Sequence, residues 1–307
     1  MSLKNMLKKA FPVLYEGRVE RLLTKRIEHN KVLAPEDLIR EEYVKHMGFR
    51  PNLEDPVRYT EKIQWRKLND HDPLYSRLSD KVAVRDWVQN RIGARYLIPL
   101  IGVWDSYDQI DFNYLPDEFV LKTNNASSTV CIVPDKKKMN HKLMKKKFDF
   151  WMQMDYTRLQ GYESQYAGIK PKILAEFMVH PQDGESDLRD YKFLCFNGKV
   201  HYIWVDLNRY HGHARAMFDR DWNFQHWNQK FKPMESCDVE RPAQLEEMIM
   251  IAEKLAAGFD HVRVDLYNTG NRILFGEMTF TNSSGFEPFY PDEWDYQLGN
   301  LWTIPNN

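Results

Sequence analysis

The sequence predicts an α+β protein with a helical N-terminal region, and three observations carry that expectation. Residues 3–95 are charged and helix-forming, with breaks at Pro35, Pro51-Asn52, Pro56 and Pro73. From residue 117 the texture changes to short apolar runs separated by turn residues, including an Asn197-Gly198 hairpin signal. The order, a helical start followed by two α+β segments built on hairpins, favours antiparallel strands.

Taken along the chain, SDKVAVRDWVQNRIG (79–93) reads as one helix capped by Ser79 or Asp80, with Val82, Val84, Trp87, Val88 and Ile92 near one face. DEFVLKTNNASSTVCIVPDK reads as strand, polar loop, strand. A basic helix follows, KKKMNHKLMKKKFDFWMQMD, whose lysines suit a solvated face or contact with an anionic glycan or membrane surface. PKILAEFMV (171–179) is a strand, KFLCFNGKVHYIWVDL a hairpin, and RPAQLEEMIMIAEKLAAGF an amphipathic helix closing at Gly258.

Composition bounds the function. With 307 residues, 43% hydrophobic and 14% aromatic, the chain has ample material for a core. A net charge of −1 gives no general attraction to nucleic acid or anionic membrane. Three cysteines (Cys131, Cys195, Cys237) without CxxC spacing suggest a reducing compartment and no structural zinc. The start, MSLKNMLKKAFPVLYEGRVERLL, lacks the apolar core of a signal peptide, and no 18-residue apolar run offers a membrane span. The expectation is a soluble, cytoplasmic protein.

The stretch HVRVDLYNTGNRILFGEMTF (261–280) is the most informative. It reads as a hairpin with charged Arg263, Asp265 and Glu277 inside its strands. An even loop would put Asp265 and Glu277 on opposite faces; a five-residue loop, Asn268 to Arg272, makes them diagonal neighbours on one face. In that register Ile273 and Phe275 share the carboxylate face, while Val264, Leu266, Leu274, Met278 and Phe280 cover the other. A hairpin apolar on both sides is buried on both sides, and buried carboxylates need a metal or a hydrogen-bonded cation. Hard oxygen ligands suit Mg²⁺, which completes its shell with water and phosphate oxygens.

Neither GxxxxGK[ST] nor GxGxxG is present, so a nucleotide would be held another way. In FVLKTNNASST, Lys122 ends an apolar strand before a loop of small polar residues whose N–H groups can cradle phosphate; an ordinary turn beside an exposed lysine is the alternative. ILAEFMV reaches Glu176 and can present backbone to an adenine, and Asp190 can accept from ribose hydroxyls or simply sit in an exposed turn. His211 and His213 in HGHAR share a strand face, yet no Cys or third His completes a metal site. No Gly-x-Ser-x-Gly elbow or Cys/His pair supports a covalent hydrolase.

Taken in order, EKIQWRKL, SDKVAVRDWV, FVLKTNNASSTVCIV, DYKFLCFNGKV, FDRDWN, RVDLY and FGEMTFTNSSGF resemble the ATP-grasp superfamily, specifically its teichuronopeptide-type (TupA-like) branch from surface-polysaccharide gene clusters, over roughly residues 50–301. The resemblance implies an ATP-grasp fold, two α+β subdomains sandwiching ATP. It divides the chain into a helical region (1–95), a lid or central subdomain (96–180) and a C-terminal subdomain with the magnesium hairpin (181–307). It implies ATP contacts by Arg85, Lys122, Ser127 and Ser128 of the loop Asn124–Thr129, Glu176 at the adenine amino group, Met178 by its backbone, Asp190 at the ribose, and Lys192. RVD looks like the Arg-x-Asp of the D-alanine–D-alanine ligases, which makes Arg263 catalytic and Asp265 a magnesium ligand. Glu277 matches the bridging ligand. Thr279 stands where many relatives have an asparagine, and Asn282, Ser283, Ser284 and Gly285 lie where related ligases bind the acceptor. The phosphate loop lacks the usual glycine; Asn124 and Asn125 are its residues most tolerant of left-handed backbone.

The implied reaction is ATP- and Mg-dependent ligation of a sugar-acid carboxylate to an amino acid or amine through an acyl-phosphate. The partners are a sugar-acid-containing glycan or sugar nucleotide and an amine, with peripheral contact to membrane assembly machinery and no nucleic acid. Two other classes stay open on sequence alone. One is a transferase, kinase-like or a glycosyltransferase, although no Asp-x-Asp supports the latter. The other is a non-catalytic assembly scaffold.

Overall fold

The computed structural model describes residues 12–182, 188–207 and 214–304. His211 and His213 lie outside the described residues.

Among the described residues five helices come first: α1 (Pro12–Lys31), α2 (Pro35–Met47), α3 (Tyr59–Asn69), α4 (Pro73–Ser79) and α5 (Val84–Ile92). Proline begins α2 and α4, where its missing N–H costs nothing, and Gly48 ends α2 at φ +84° with its N–H on Val44 O. The helix expected over 79–93 forms as α5, and Ser79, one of its two expected caps, is instead the last residue of α4. Asp80 caps a turn between α4 and α5, its Oδ1 accepting from the N–H groups of Val82 (2.8 Å) and Ala83 (3.2 Å). That turn aims Lys81 inward, as described below.

The first sheet has four antiparallel strands in the order β1-β4-β2-β3: β1 (Leu100–Trp104), β2 (Phe119–Thr123), β3 (Val130–Val133) and β4 (Ile173–Phe177). Helix α6 (His141–Gln153) covers one face, burying Phe148 with Phe119, Leu121, Ile173 and Ala175. Its lysine run is partly ion-paired: Lys146 meets Glu20 at 3.0 Å and Lys147 meets Glu16 at 2.9 Å, both on α1.

The second sheet is antiparallel with order β11-β10-β5-β6-β7-β8. It comprises β5 (Asp190–Phe196), β6 (Lys199–Leu207), β7 (Ala214–Asp219), β8 (Phe224–Gln225), β10 (His261–Asn268) and β11 (Ile273–Thr279). Asn197 and Gly198 both take positive φ between β5 and β6, as a tight hairpin turn requires. Helix α7 (Leu245–Ala256) packs on one face against Phe193, Val205, Val262, Val264 and Leu266. Each such fully buried side chain stabilises by roughly 1.5–3 kcal/mol. The other face is divided. Toward one end, Leu194, Phe196, Trp204 and Met217 are covered by Tyr59 and Ile63 of α3 and by Leu298 of α8 (Glu293–Leu301). Toward the other it carries Asp190, Lys192, Arg263 and Asp265. A two-stranded ribbon, β9 (Asn228–Gln229) with β12 (Phe289–Tyr290), flanks that face.

Helix α3 is tied to the ends of the β10–β11 hairpin by buried charge. Arg66 donates to the carbonyls of His261 (2.9 Å) and Phe280 (3.1 Å) and pairs with Asp260. Lys67, fully buried, donates to Ser284 O at 2.6 Å and to Gly161 O at 3.1 Å. Among the described residues no helix is long and apolar enough to cross a membrane.

The hairpin register differs from the expected one. Asn268 pairs with Ile273, so the connection has four residues, and Leu266 opposes Phe275. Unbroken pairing would then set Asp265 against Gly276 and turn Glu277 to the α7 side. A bulge at Gly276 adds one residue, and Asp265 pairs directly with Glu277. Ile273 and Phe275 therefore join Val264 and Leu266 in the core, rather than sharing the carboxylate face.

Candidate active site

The two sheets meet at a cavity of about 260 Å³. Lys81 and Arg85 reach it from the α4–α5 turn and α5, and Lys122 from β2. Ser127 and Ser128 come from the β2–β3 loop, and Glu176 from β4. Asp190 and Lys192 of β5, with Asp265 and Glu277 of the hairpin, form the opposite wall. A second, wider cavity of about 710 Å³ is lined by Ile98, Phe177, Met178, Val179 and Leu274.

On the hairpin wall, Arg263 grips both carboxylates. Its Nε donates to Asp265 Oδ1 (2.7 Å), and its Nη2 to Asp265 Oδ2 (2.8 Å), Glu277 Oε1 (3.0 Å) and Thr279 Oγ1 (3.1 Å). Nη1 donates to Asn282 Oδ1. Lys192 Nζ adds bonds to Asp265 Oδ2 (2.7 Å) and Asp190 Oδ2 (2.5 Å). Burial alone would raise the Asp265 carboxyl; Arg263 and Lys192 outweigh it and hold the group below the usual carboxylate range. Asp265 is 2% exposed, whereas the Glu277 side chain keeps 43% of its surface.

On the other wall, Glu176 sits between two cations, Lys122 Nζ at 2.6 Å and Arg85 Nη1 at 3.2 Å, while Arg85 Nη2 donates to Ile98 O at 2.9 Å. The β2–β3 loop is closed by Thr123 Oγ1 against Thr129 Oγ1 (2.6 Å). Asn124 anchors it, accepting from Lys172 N–H at 2.7 Å. The left-handed residue of this loop is Ser128, at φ +63°, and neither Asn124 nor Asn125. Lys81, absent from the sequence reading, donates through Nζ to Ala126 O at 2.5 Å and through its backbone N–H to Asn124 O at 3.2 Å. Burial lowers its pKa, and Glu277 across the cavity opposes that shift.

Thus Arg85, Lys122, Ser127, Ser128, Glu176, Asp190, Lys192, Asp265 and Glu277 share one cavity wall or the other. Arg263 and Thr279 stand directly behind Asp265 and Glu277, and Met178 lines the wider cavity. The stretch 282–285 is not on the cavity lining. Asn282 touches Arg263, but Ser284 donates to Gln160 O at 2.6 Å, and a Cβ at Gly285 would collide with Gln64 and Ile63 of α3.

Could a divalent cation be held here? Among the described residues no group of three or more His, Cys, Asp or Glu side chains is placed for one. The donors that do converge are two carboxylates and the Thr279 hydroxyl, hard oxygens of the kind Mg²⁺ takes in ones and twos with phosphates completing its shell. One cationic group, Arg263 Nη2, already reaches both carboxylates. The residues present fit Mg²⁺.

Two antiparallel α+β halves that face each other across a cation-rich cavity, with paired carboxylates on one wall, define a protein of the ATP-grasp class. A sequence model of the family described as TupA-like ATPgrasp matches residues 61–303, and the chain belongs to that family. Among curated proteins none matches significantly. Solved structures similar to this chain include a D-alanine–D-alanine ligase from Bacillus anthracis (16% identity, TM-score 0.41, 73% of this chain and 65% of that one). Also similar are an N5-carboxyaminoimidazole synthetase from Staphylococcus aureus complexed with ADP (11%, 0.42, 75% and 53%) and a RimK domain ATP-grasp protein from Sphaerobacter thermophilus (11%, 0.40, 81% and 72%). The chain thus spans just under two thirds of the first of these and about half of the second.

Proposed function

We propose that this chain is an ATP- and Mg²⁺-dependent carboxylate–amine ligase. It joins the carboxylate of a sugar acid to an amino acid or amine during surface-polysaccharide biosynthesis in the cytoplasm. The observation that carries this reading is the direct pairing of Asp265 with Glu277, both gripped by Arg263, opposite Lys81, Arg85 and Lys122 in one cavity.

In this reading the helical region (1–95) supplies Arg85, the unit 96–180 is the lid, and 181–307 carries the cation hairpin. The adenine lies in the wider cavity along the backbone at Met178, with Asp190 toward the ribose. Lys122, Arg85 and Lys192, with the backbone of Ser127 and Ser128, clamp the phosphates. Asp265, Glu277 and Thr279 would hold Mg²⁺, which supplies charge neutralisation at the phosphate oxygens. The acid's carboxylate attacks the γ-phosphorus and the bond to the β,γ-bridging oxygen breaks, leaving ADP and an acyl-phosphate. The amine then adds to the acyl carbon and expels phosphate, losing its proton. Arg263, held in one orientation by Asp265, Glu277 and Asn282, steadies the oxyanion between those steps. One such donor is typically worth about 2.7–4 kcal/mol. Asn282 to Gly285 shape the acceptor side, Asn282 by holding Arg263 from behind.

The test is calorimetric titration with a non-hydrolysable ATP analogue, with and without Mg²⁺, followed by assay of uronic acids and amines for ADP and phosphate release. Saturable, Mg²⁺-dependent binding and ADP release that requires both co-substrates are expected. Absence of analogue binding under every condition would sink the ligase.

A further inference from the structure

The charged face of the six-stranded sheet continues beyond the cation hairpin. Asp265 pairs with Lys192, and in the neighbouring row of the same face Asp190 pairs with Asp206 and Asp206 with Arg215, so a band of charges two rows wide runs from β10 to β7. Its members touch. Lys192 Nζ lies 3.9 Å from Asp206 Oδ2, and Arg215 Nε donates to Asp206 Oδ1 at 2.7 Å. The flanking ribbon follows the same course. Arg263 donates to Asn282, whose amide donates to Gln229 Oε1 at 2.7 Å, and neighbouring Asn228 donates to Arg215 O at 2.7 Å.

At the far end of this band polar satisfaction fails. Arg215 is only 8% exposed, and its Nη1 has no hydrogen-bond partner among the described residues; the same holds for Oδ1 of Asn228, 1% exposed. Burying a polar group unpaired costs on the order of 1–3 kcal/mol, more when it is charged, so the Arg215 N–H points to a missing acceptor oxygen and Asn228 Oδ1 to a missing donor such as a sugar hydroxyl. The guanidinium lies 5.0 Å from the ring centre of fully buried Trp204 and 5.8 Å from that of half-buried Phe231, so one partly accessible aromatic ring stands near the unpartnered donor. A fixed guanidinium fork selects a carboxylate over a neutral oxygen, and aromatic faces accept the apolar face of a sugar ring.

We propose that Arg215 and Asn228 form an acceptor subsite for a uronate of the glycan, distinct from the uronate that reacts. The inference rests on the ligase reading and adds to it the residues that select an acidic oligosaccharide. Strands β7 and β10 are three strand spacings apart, about 14 Å. Arg215 therefore reads a carboxylate remote from Arg263, and a substrate longer than one ring reaches both.

The experiment is calorimetry on the full chain saturated with ATP analogue and Mg²⁺, using trigalacturonic acid and, as neutral control, maltotriose. The test variant is Arg215→Gln combined with Asp206→Asn, which removes both halves of the buried pair and strands no lone charge. Should that variant not fold, Arg215→Lys keeps the charge beside Asp206 and loses the fork. Wild type is expected to prefer trigalacturonic acid over maltotriose by about tenfold or more, and either variant to lose most of that preference. Analogue affinity should stay within about twofold in Arg215→Lys, which leaves Asp206 in place 3.9 Å from Lys192. Equal affinity for the two sugars, an unchanged preference in the folded variants, or no binding of trigalacturonic acid to wild type that still binds the analogue each overturns the subsite alone. Failure of wild type to bind the analogue overturns the ligase reading with it.

Discussion

Asp265 and Glu277 face one another directly across the β10–β11 hairpin because Gly276 bulges out of the ladder between them. Their burial differs sharply, and so do the consequences of neutralising them. Asp265 supports two buried cations, Arg263 and Lys192, while the Glu277 side chain is 43% exposed. Asp265→Asn leaves those cations short of an anion and should destabilise the fold by about 3–5 kcal/mol. Glu277→Gln should cost under about 1 kcal/mol. Both should lose Mg²⁺-dependent turnover by roughly 100-fold or more. Thermal melts alongside ADP-release assays check the split; full activity in either variant removes the cation assignment.

The hairpin shows what the sequence could and could not convey. Charged residues within an apolar hairpin were legible at once; their convergence on one face was expected only for an odd loop, and the loop is even. The register was not legible, because loop length and bulge act together: a four-residue connection alone would have turned Glu277 into the core, and the only trace of the bulge is an isolated strand glycine. Lys81 was hidden for a similar reason. Reading 79–93 as one helix places Lys81 on its surface, whereas the Asp80-capped turn aims it into the cavity. The helices of the first 95 residues were legible as helices. That α3 would set Arg66 against the ends of the hairpin and Lys67 against Ser284 and Gly161 was not, since buried cations leave no periodic signature distinct from a solvated face.

Glu176 offers a prediction whose sign separates two roles. Its carboxylate sits on Lys122 and Arg85, the cations that phosphates would need. If it acts by holding them, Glu176→Gln removes a competing anion and should tighten analogue binding by about threefold to tenfold. If it holds the adenine amino group, the same variant should weaken binding. Lys122→Gln should weaken it by about tenfold or more in either case. Calorimetry at two salt concentrations measures both.

Lys81 ties the loop 124–129 to the α4–α5 turn through Ala126 O and Asn124 O. Lys81→Gln should loosen that loop, since the side-chain bond loses its charge while the backbone bond stays. Amide exchange at Ala126 to Ser128 should accelerate by roughly tenfold, and Mg²⁺–analogue affinity should fall by a similar factor. Unchanged exchange with weakened affinity would make Lys81 a direct phosphate contact only.

His261 sets an acid limit on the fold. It is fully buried, its Nε2 2.9 Å from the Tyr59 hydroxyl and its Nδ1 2.9 Å from Cys195 O. Burial, reinforced by the nearby Arg66 guanidinium, lowers its pKa from 6.5 to about 3. Above pH 6.5 the folded and unfolded chains both carry it neutral, and it adds no pH dependence. Between 6.5 and about 3 the unfolded chain binds a proton that the native site refuses, so stability falls as pH falls. The slope from this one group approaches about 1.4 kcal/mol per pH unit. Asp295, raised to about 6 chiefly by burial, works in the opposite sense from 3.8 to 6 and partly masks it. The isolating measurement is therefore a difference: unfolding free energy of wild type minus His261→Gln, from pH 7 to pH 4.5. That difference should shrink steadily as pH falls, because only wild type loses stability through this site. A difference independent of pH would mean that His261 is protonated in the native protein.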